Sequence, residues 1–549
     1  MLQLRCKCKM NILLLLAVAL ASYELCLAAE APVANTTTGK FVGLLLNVYG
    51  QKVHAFLGVP YARPPVGDRR FAKPVPALPW KTVRSATAYG SRCPQDPSDT
   101  HEYDTISDPS MREDCLTLNV WTPPRANESV ANKSVMVWLH GGGFKKGHSG
   151  EEFYDGSILS ATQDVVVVTL NYRLGYLGFL NALHPNASGN VGLYDQLSAL
   201  NWIKENIKVF GGNSSSVTLF GKGAGATAIA LHLLSPHGFG LFQRAILQSA
   251  DLELSKYVDN IKTAMEKADA LAVELGCSRR GHSLLTATED VLECMRSRDP
   301  REILRAQSDL QHKVGPALPS FGTDFLPQDP TAVLNSAESP AVDLLMGHNA
   351  EKGKEVLSNL FPSILESSSQ NITLQDIEIM FHVLANTYGY SRTIAEKSLE
   401  FYLRGVDSCI PQALIDAAIR YSTDLATCAS VSLAEVFAST GRSVFYYQST
   451  YTSESRQKWG VSVDTFGSCF AFGAPFRFPG RFNDVDRSFS HVVMHTFAYF
   501  AKHGRAPMLN GLAWMKFMES QPNYFEFDPY MMRPRNLDTS GCKLLGKFM

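Results

Sequence analysis

The chain has no excess of either charge: 51 lysines and arginines face 52 aspartates and glutamates, a formal net charge of −1. Such a balance gives no electrostatic footprint for nucleic acid or for an anionic membrane as the main partner. There is no internal repeat and no low-complexity tract, which excludes solenoids and propellers. No proline- or glycine-rich linker divides the sequence into separate domains. Beyond the first residues no apolar run approaches the length of about 20 residues that spans a bilayer. The C-terminal GCKLLGKFM has neither a hydrophobic tail nor a prenylation box, so no membrane span or anchor is expected.

What is present points outward from the cell. Arg5, Lys7 and Lys9 precede an apolar stretch from Asn11 to Leu20, and small residues follow at Ala21, Ala28 and Ala29. That order reads as a signal peptide over residues 1–29. Of eleven cysteines, Cys6, Cys8 and Cys26 fall in or beside it, leaving eight. An even number in an exported chain suggests disulfides. N-x-[ST] sequons stand at Asn35, Asn127, Asn132, Asn186, Asn213 and Asn371. Together these lead to the expectation of a secreted, extracellular glycoprotein.

Residues 30–42 read as a polar lead-in and 43–549 as one domain. Apolar segments at 135–140, 165–172, 217–220, 245–248, 344–346 and 444–447 read as strands. Helical spacing recurs at 195–207 and 226–234 and dominates 259–310 and 372–427. Strands alternating with longer helices predict an α/β fold, a large mostly parallel sheet wrapped by helices.

Five ordered segments carry a resemblance. They are FLGVPYA from Phe56, EDCLTLNV from Glu113, HGGGF from His140, GNVGLYDQ from Gly189 and GKGAG from Gly221. With these the sequence resembles the type-B carboxylesterase/cholinesterase family over nearly the whole mature chain. The resemblance implies a single-domain α/β-hydrolase fold, no cofactor and no metal. It implies the disulfides Cys93–Cys115, Cys277–Cys294 and Cys428–Cys542. Cys409 and Cys469 lie outside that pattern, and the expectation is that they pair with each other.

The chemistry of that family needs a hydroxyl on the strained turn of a G-x-S-x-G elbow. Here the elbow is G-K-G-A-G, and its centre is Gly223, which has no side chain to acylate. Thr227 lies a helical turn on and is expected to point away. The family's base precedes an F-x-F-G segment, and the matching residue is Asp464; no histidine occurs between Ser455 and Ser490. The family's acid position is Lys352, with Glu351 one residue off. Asp464 and Lys352 have opposite charges, so an ion pair between them, with Lys222 near, is expected in place of the family's histidine–acid contact. Gly142, Gly143 and Ala224 match the oxyanion-hole donors. The stretch 101–110 has no tryptophan for choline recognition, and Tyr103 is a poor substitute. Glu151 and Glu152 read as surface acids, and His491 and His495 as surface or packing histidines.

These substitutions predict an inactive serine-esterase homologue whose role is binding, with another extracellular protein or a matrix component as partner. In this it resembles the esterase-fold adhesion proteins of the neuroligin, gliotactin, neurotactin and glutactin kind. Two alternatives stand beside it: a carrier of a hydrophobic small molecule in the residual gorge, and an ester hydrolase using residues not recognised above.

Overall fold

The computed structural model describes residues 31–95, 111–124, 132–249, 257–334, 341–362, 372–454 and 463–546, with the backbone alone for 331 and 463–466. The expected leader, the choline-site stretch around Tyr103, and the sequons at Asn127 and Asn371 lie outside these residues.

Sixteen strands occur in the described residues: β1 Val33–Asn35, β2 Lys40–Val42, β3 Leu44–Val48, β4 Gln51–Pro60, β5 Arg84–Ser85, β6 Thr117–Thr122, β7 Lys133–Leu139, β8 Val166–Leu170, β9 Asn181–His184, β10 Ala187–Ser188, β11 Gly212–Lys222, β12 Arg244–Gln248, β13 Asp343–Asn349, β14 Val444–Ser449, β15 Asn523–Phe527 and β16 Arg533–Asn536. Eleven form one sheet in the order β16-β15-β14-β13-β12-β11-β7-β8-β6-β4-β3. From β8 to β15 neighbours run parallel; at both edges they turn antiparallel. The sheet is therefore mixed, with a parallel centre.

The central strands are mainly apolar along their middle segments, where both of their faces are buried. Side chains alternate across a pleated strand. Val135, Val137 and Leu139 of β7 accordingly join one core, with Val166, Val168, Leu219, Leu247 and Met346. Met136 and Trp138 join the opposite core, with Val167, Phe220, Ile246 and Leu345. The helices Val191–Asn206 and Ala224–Leu234 cover the first face through Leu193, Leu200, Ile203 and Ile229. The helix Asp484–His503 covers the second, and its buried Phe489, Val493 and Phe497 recur every four residues, one stripe of an α-helix. Each such side chain contributes on the order of 1.5–3 kcal/mol by leaving water.

The lead-in over 30–42 is not unstructured. β1 and β2 pair antiparallel, and β5 adds to β2 in parallel, a small three-stranded sheet of their own. Ala34 and Phe41 face inward between exposed Val33, Asn35 and Lys40. Three residues per strand are too few to print an alternation in the sequence.

A third core lies among the helices Leu374–Thr387, Arg392–Tyr402 and Pro411–Ser439, where the Phe381 and Tyr421 rings stack at 4.2 Å. The last helix, Ser540–Gly546, is fastened to it by Cys428–Cys542. One turn before Cys428, the Asp424 carboxylate accepts a 2.5 Å hydrogen bond from Tyr402 Oη. Burial, reinforced by the charge of Asp538, still raises the Asp424 carboxyl from 3.8 to about 6. The folded state thus binds this proton more tightly than the unfolded one, so its stabilisation is complete below the unfolded value and is lost as pH rises through about 6. Asp424→Asn should gain about 1–2 kcal/mol over the parent near pH 8 and almost nothing near pH 4. Urea midpoints at the two pH values test this; an equal gain at both would assign the effect to something other than the charge.

Candidate functional site

β11 and the helix Ala224–Leu234 meet at a very tight turn, and the glycines on either side of its apex explain how. A Cβ on Gly221 would sit 2.8 Å from the Gly225 carbonyl carbon and 2.9 Å from the Leu139 oxygen, and one on Gly225 only 2.1 Å from that oxygen. Backbone packs against backbone there, and a side chain has no room. The apex differs. Gly223 has φ 51° and ψ −123°, a conformation that L-residues rarely adopt, yet a Cβ on it would meet nothing within 4 Å. The turn therefore has the strained backbone and open outward face that a nucleophile elbow needs, with hydrogen where a side chain would project. The Gly223 N–H donates to the Gln248 carbonyl at 3.1 Å, and its carbonyl accepts from the Thr227 N–H at 2.9 Å. Thr227 does not simply point away: its Oγ1 donates back to the Gly223 carbonyl at 3.2 Å, because a threonine hydroxyl reaches the carbonyl one helical turn earlier.

The His140–Phe144 loop follows β7 and lies against the elbow: a Cβ on Gly141 would be 2.6 Å from the Lys222 oxygen. Gly142 has φ 107°, and a Cβ there would meet the Lys146 oxygen at 2.1 Å. Its carbonyl accepts from the Lys145 and Lys146 N–H groups, which closes the turn. His140 is fixed from behind, its ring stacked on Tyr172 at 4.3 Å and its carbonyl accepting the Tyr172 hydroxyl at 2.8 Å. Among the described residues, none of the Gly142, Gly143 and Ala224 N–H groups donates a hydrogen bond.

Around this backbone the polar side chains are unlike a triad. Lys222 ends β11 and is half-buried. Lys352 begins the helix Lys352–Leu360 that follows β13, and Glu351 is its N-cap residue. The side chain of Asp464 lies outside the described residues, and with it the expected Lys352–Asp464 pair.

Glu151 corrects the reading of a surface acid. It is half-buried, accepts the His148 N–H at 3.3 Å and bonds the Tyr154 hydroxyl. It comes inside because Phe153 and Tyr154, two and three residues on, are core residues that draw the loop against the sheet.

Cys469 also reaches this neighbourhood. Burial pushes its thiol up to about 12; the Lys222 ammonium opposes that shift and the Glu151 carboxylate adds to it. A thiol so far from its thiolate at neutral pH is a poor substitute nucleophile.

A small cavity of about 60 Å³ opens at the carboxyl ends of β11 to β14, lined among others by Lys222, Gln248, His348, Asn349, Ser449 and Phe470. His348 was not singled out in the sequence. It is buried on β13, with Nδ1 3.0 Å from Tyr446 Oη.

The disulfides Cys93–Cys115, Cys277–Cys294 and Cys428–Cys542 are present, with Cα separations of 5.1, 5.6 and 5.1 Å. The expected Cys409–Cys469 bond is not: both are free thiols, Cys409 exposed and Cys469 buried. Cys409 sits in a surface turn, its N–H bonded to Asp407, whereas Cys469 belongs to a core helix. An even count does not bring two cysteines together when their elements fold on different layers. Native protein should take up maleimide at Cys409 alone, and Cys469 should react only after denaturation; peptide mass spectrometry distinguishes the two, and rapid native labelling of Cys469 would contradict this burial.

Of the sequons, Asn35, Asn132 and Asn186 are exposed, and Asn213 is half-buried with Oδ1 accepting from the Ser215 N–H. His491 and His495 lie on the exposed side of the helix Asp484–His503, and no third ligand joins them among the described residues. No helix among the described residues is long and apolar enough to cross a membrane.

The sheet, elbow and glycine loop define an α/β-hydrolase scaffold of the esterase type. A family model described as "Carboxylesterase family" matches residues 30–544, and the chain belongs to that family. It is similar to Acetylcholinesterase-1 of Trittame loki, 34% identical over 507 residues covering 90% of each chain. It is also 34% identical over 513 residues to Cholinesterase of Mus musculus, covering 90% of this chain and 82% of the mouse protein, and 31% identical over 524 residues to Acetylcholinesterase of Leptinotarsa decemlineata.

Proposed function

We propose that this chain is a secreted, non-catalytic cholinesterase-like protein that acts by binding another extracellular protein or a matrix component. One observation carries the reading: the apex of the elbow is Gly223, whose outward face bears no nucleophile. The buried Cys469, whose thiol burial pushes far above neutral pH, supports it as a poor substitute nucleophile. The leader-like residues 1–29 and three disulfides support export.

The test is treatment of the purified secreted protein with a fluorophosphonate probe and with acetyl- and butyrylthiocholine. No labelling and no turnover above the denatured control is expected. Stoichiometric labelling of any residue would overturn the reading and identify the missing nucleophile. Affinity purification from the extracellular medium then identifies the partner.

A further inference from the structure

The charge balance of the whole chain conceals a local imbalance. Residues 63–84 contain Arg63, Arg69, Arg70, Lys73, Lys81 and Arg84 against the single acid Asp68. Folding neutralises two of the six. Arg70 is buried in a two-point contact with Glu113, 2.6 Å at both nitrogens, and Lys73 pairs with Asp324 at 2.9 Å. Arg63, Arg69, Lys81 and Arg84 make no ion pair among the described residues.

Three of these four line one surface groove of about 730 Å³, together with Trp80, Leu78 and Asp114. Two of its cations are held by backbone and ring: Arg69 Nε donates to the Pro64 carbonyl at 2.8 Å, and the Arg84 guanidinium stacks on Trp80 at 4.1 Å, while Arg63 is placed by its backbone, whose N–H donates to the Val75 carbonyl at 2.8 Å. Trp80 is itself fixed edge-on against buried Phe41, and its backbone N–H donates to the Thr38 carbonyl. Arg84 stands on β5, paired to β2, so the small N-terminal sheet sets its place. The Arg69 and Arg84 guanidinium groups, held in this way, lose little freedom on binding a carboxylate. Beside them Leu78 is 62% exposed, an apolar contact that a sulfated sugar chain would leave unused but a peptide side chain would cover. Asp114 opposes one of the charges, and an excess of two cations remains.

We propose that this groove docks an acidic peptide segment of a partner protein, its carboxylates on Arg63, Arg69 and Arg84 and an apolar side chain on Leu78. The proposal rests on the binding reading above and supplies the chemistry of the partner.

The experiment is fluorescence polarisation of the full-length secreted protein with a fluorescein-labelled octapeptide alternating glutamate and leucine. A lysine–leucine peptide, an all-glutamate peptide and a heparin-derived oligosaccharide run beside it. The glutamate–leucine peptide should bind, more weakly as salt rises, and the lysine–leucine peptide should not. Arg63→Ala with Arg84→Ala should weaken binding by about tenfold or more. Leu78→Ser, a change at an exposed side chain that leaves the fold intact, should weaken the glutamate–leucine peptide about threefold and leave the all-glutamate peptide unchanged. Equal binding of the two leucine peptides, no binding of either, or an arginine variant as good as the parent would overturn the proposal. So would tighter binding of the oligosaccharide with Leu78→Ser without effect, which assigns the groove to a polysaccharide. Ester turnover by the same preparation would overturn the non-catalytic reading and leave the peptide result standing.

Discussion

Gly223→Ser protein should remain unreactive toward fluorophosphonate and should not hydrolyse choline esters. The hydroxyl would fit, since a Cβ at this position meets nothing within 4 Å, and the Gly142, Gly143 and Ala224 N–H groups would remain around it. It would lack a group to take its proton. By the sequence resemblance the base position falls on Asp464 and the acid position on Lys352, and an aspartate cannot shuttle a proton at pH 7 as a neutral imidazole does. A scaffold with oxyanion donors alone retains about 10³–10⁴-fold acceleration over water, roughly six orders of magnitude short of a full triad in the best-studied serine hydrolases. Adding Asp464→His and Lys352→Glu to Gly223→Ser should raise the labelling rate by at least about 10²-fold, if the missing parts alone limit the site. Labelling of the single variant at the rate of an active cholinesterase would show that the base is supplied from elsewhere.

The second large effect concerns the elbow as architecture. Gly225→Ala should destabilise the protein by about 3 kcal/mol, because its Cβ would lie 2.1 Å from the Leu139 oxygen and the helix would have to lift from the sheet. Gly223→Ala should cost only about 1–2 kcal/mol, the strain of its left-handed φ with no contact to break. Urea denaturation of the two variants measures the difference. Equal losses would mean that the flanking glycines are not fixed by packing. If the order holds, the glycines at 221 and 225 are required by the meeting of β7, β11 and the helix whatever the centre of the motif does, and their persistence says nothing about catalysis.

That distinction marks how far the sequence could be read. The parallel strands at 135–140 and 165–172 were visible because burial on both faces leaves an unbroken apolar run. The edges of the sheet were not: β3 is only five residues long, β15 mixes polar and apolar residues, and β16 is polar but for Pro534. The disulfides came with the family resemblance; the Cys409–Cys469 expectation came from parity, which contains no distance. The oxyanion loop and the elbow were legible as motifs. Glu151 was not, because its burial is decided by the neighbours Phe153 and Tyr154 and by Cys469, more than 300 residues away. The groove was also hidden. Its arginines are scattered through a proline-rich stretch, and only the fold shows which of them find partners and which face outward together.

Among the described residues the open sheet of eleven strands ends in two rims, β3 and β16, where a second copy could pair. β16 reads Arg533-Pro534-Arg535-Asn536 and among the described residues pairs only with β15. Pro534 withdraws one backbone donor from that rim. Arg533 and Arg535 both hold Glu526, two cations on one carboxylate, so the rim keeps a net positive charge along a strand of four residues. A second copy approaching edge to edge would bring like charges together across a ladder with a missing rung. The C-terminal strand thus protects the molecule from templating its own aggregation at the side where the parallel sheet would otherwise remain open to extension.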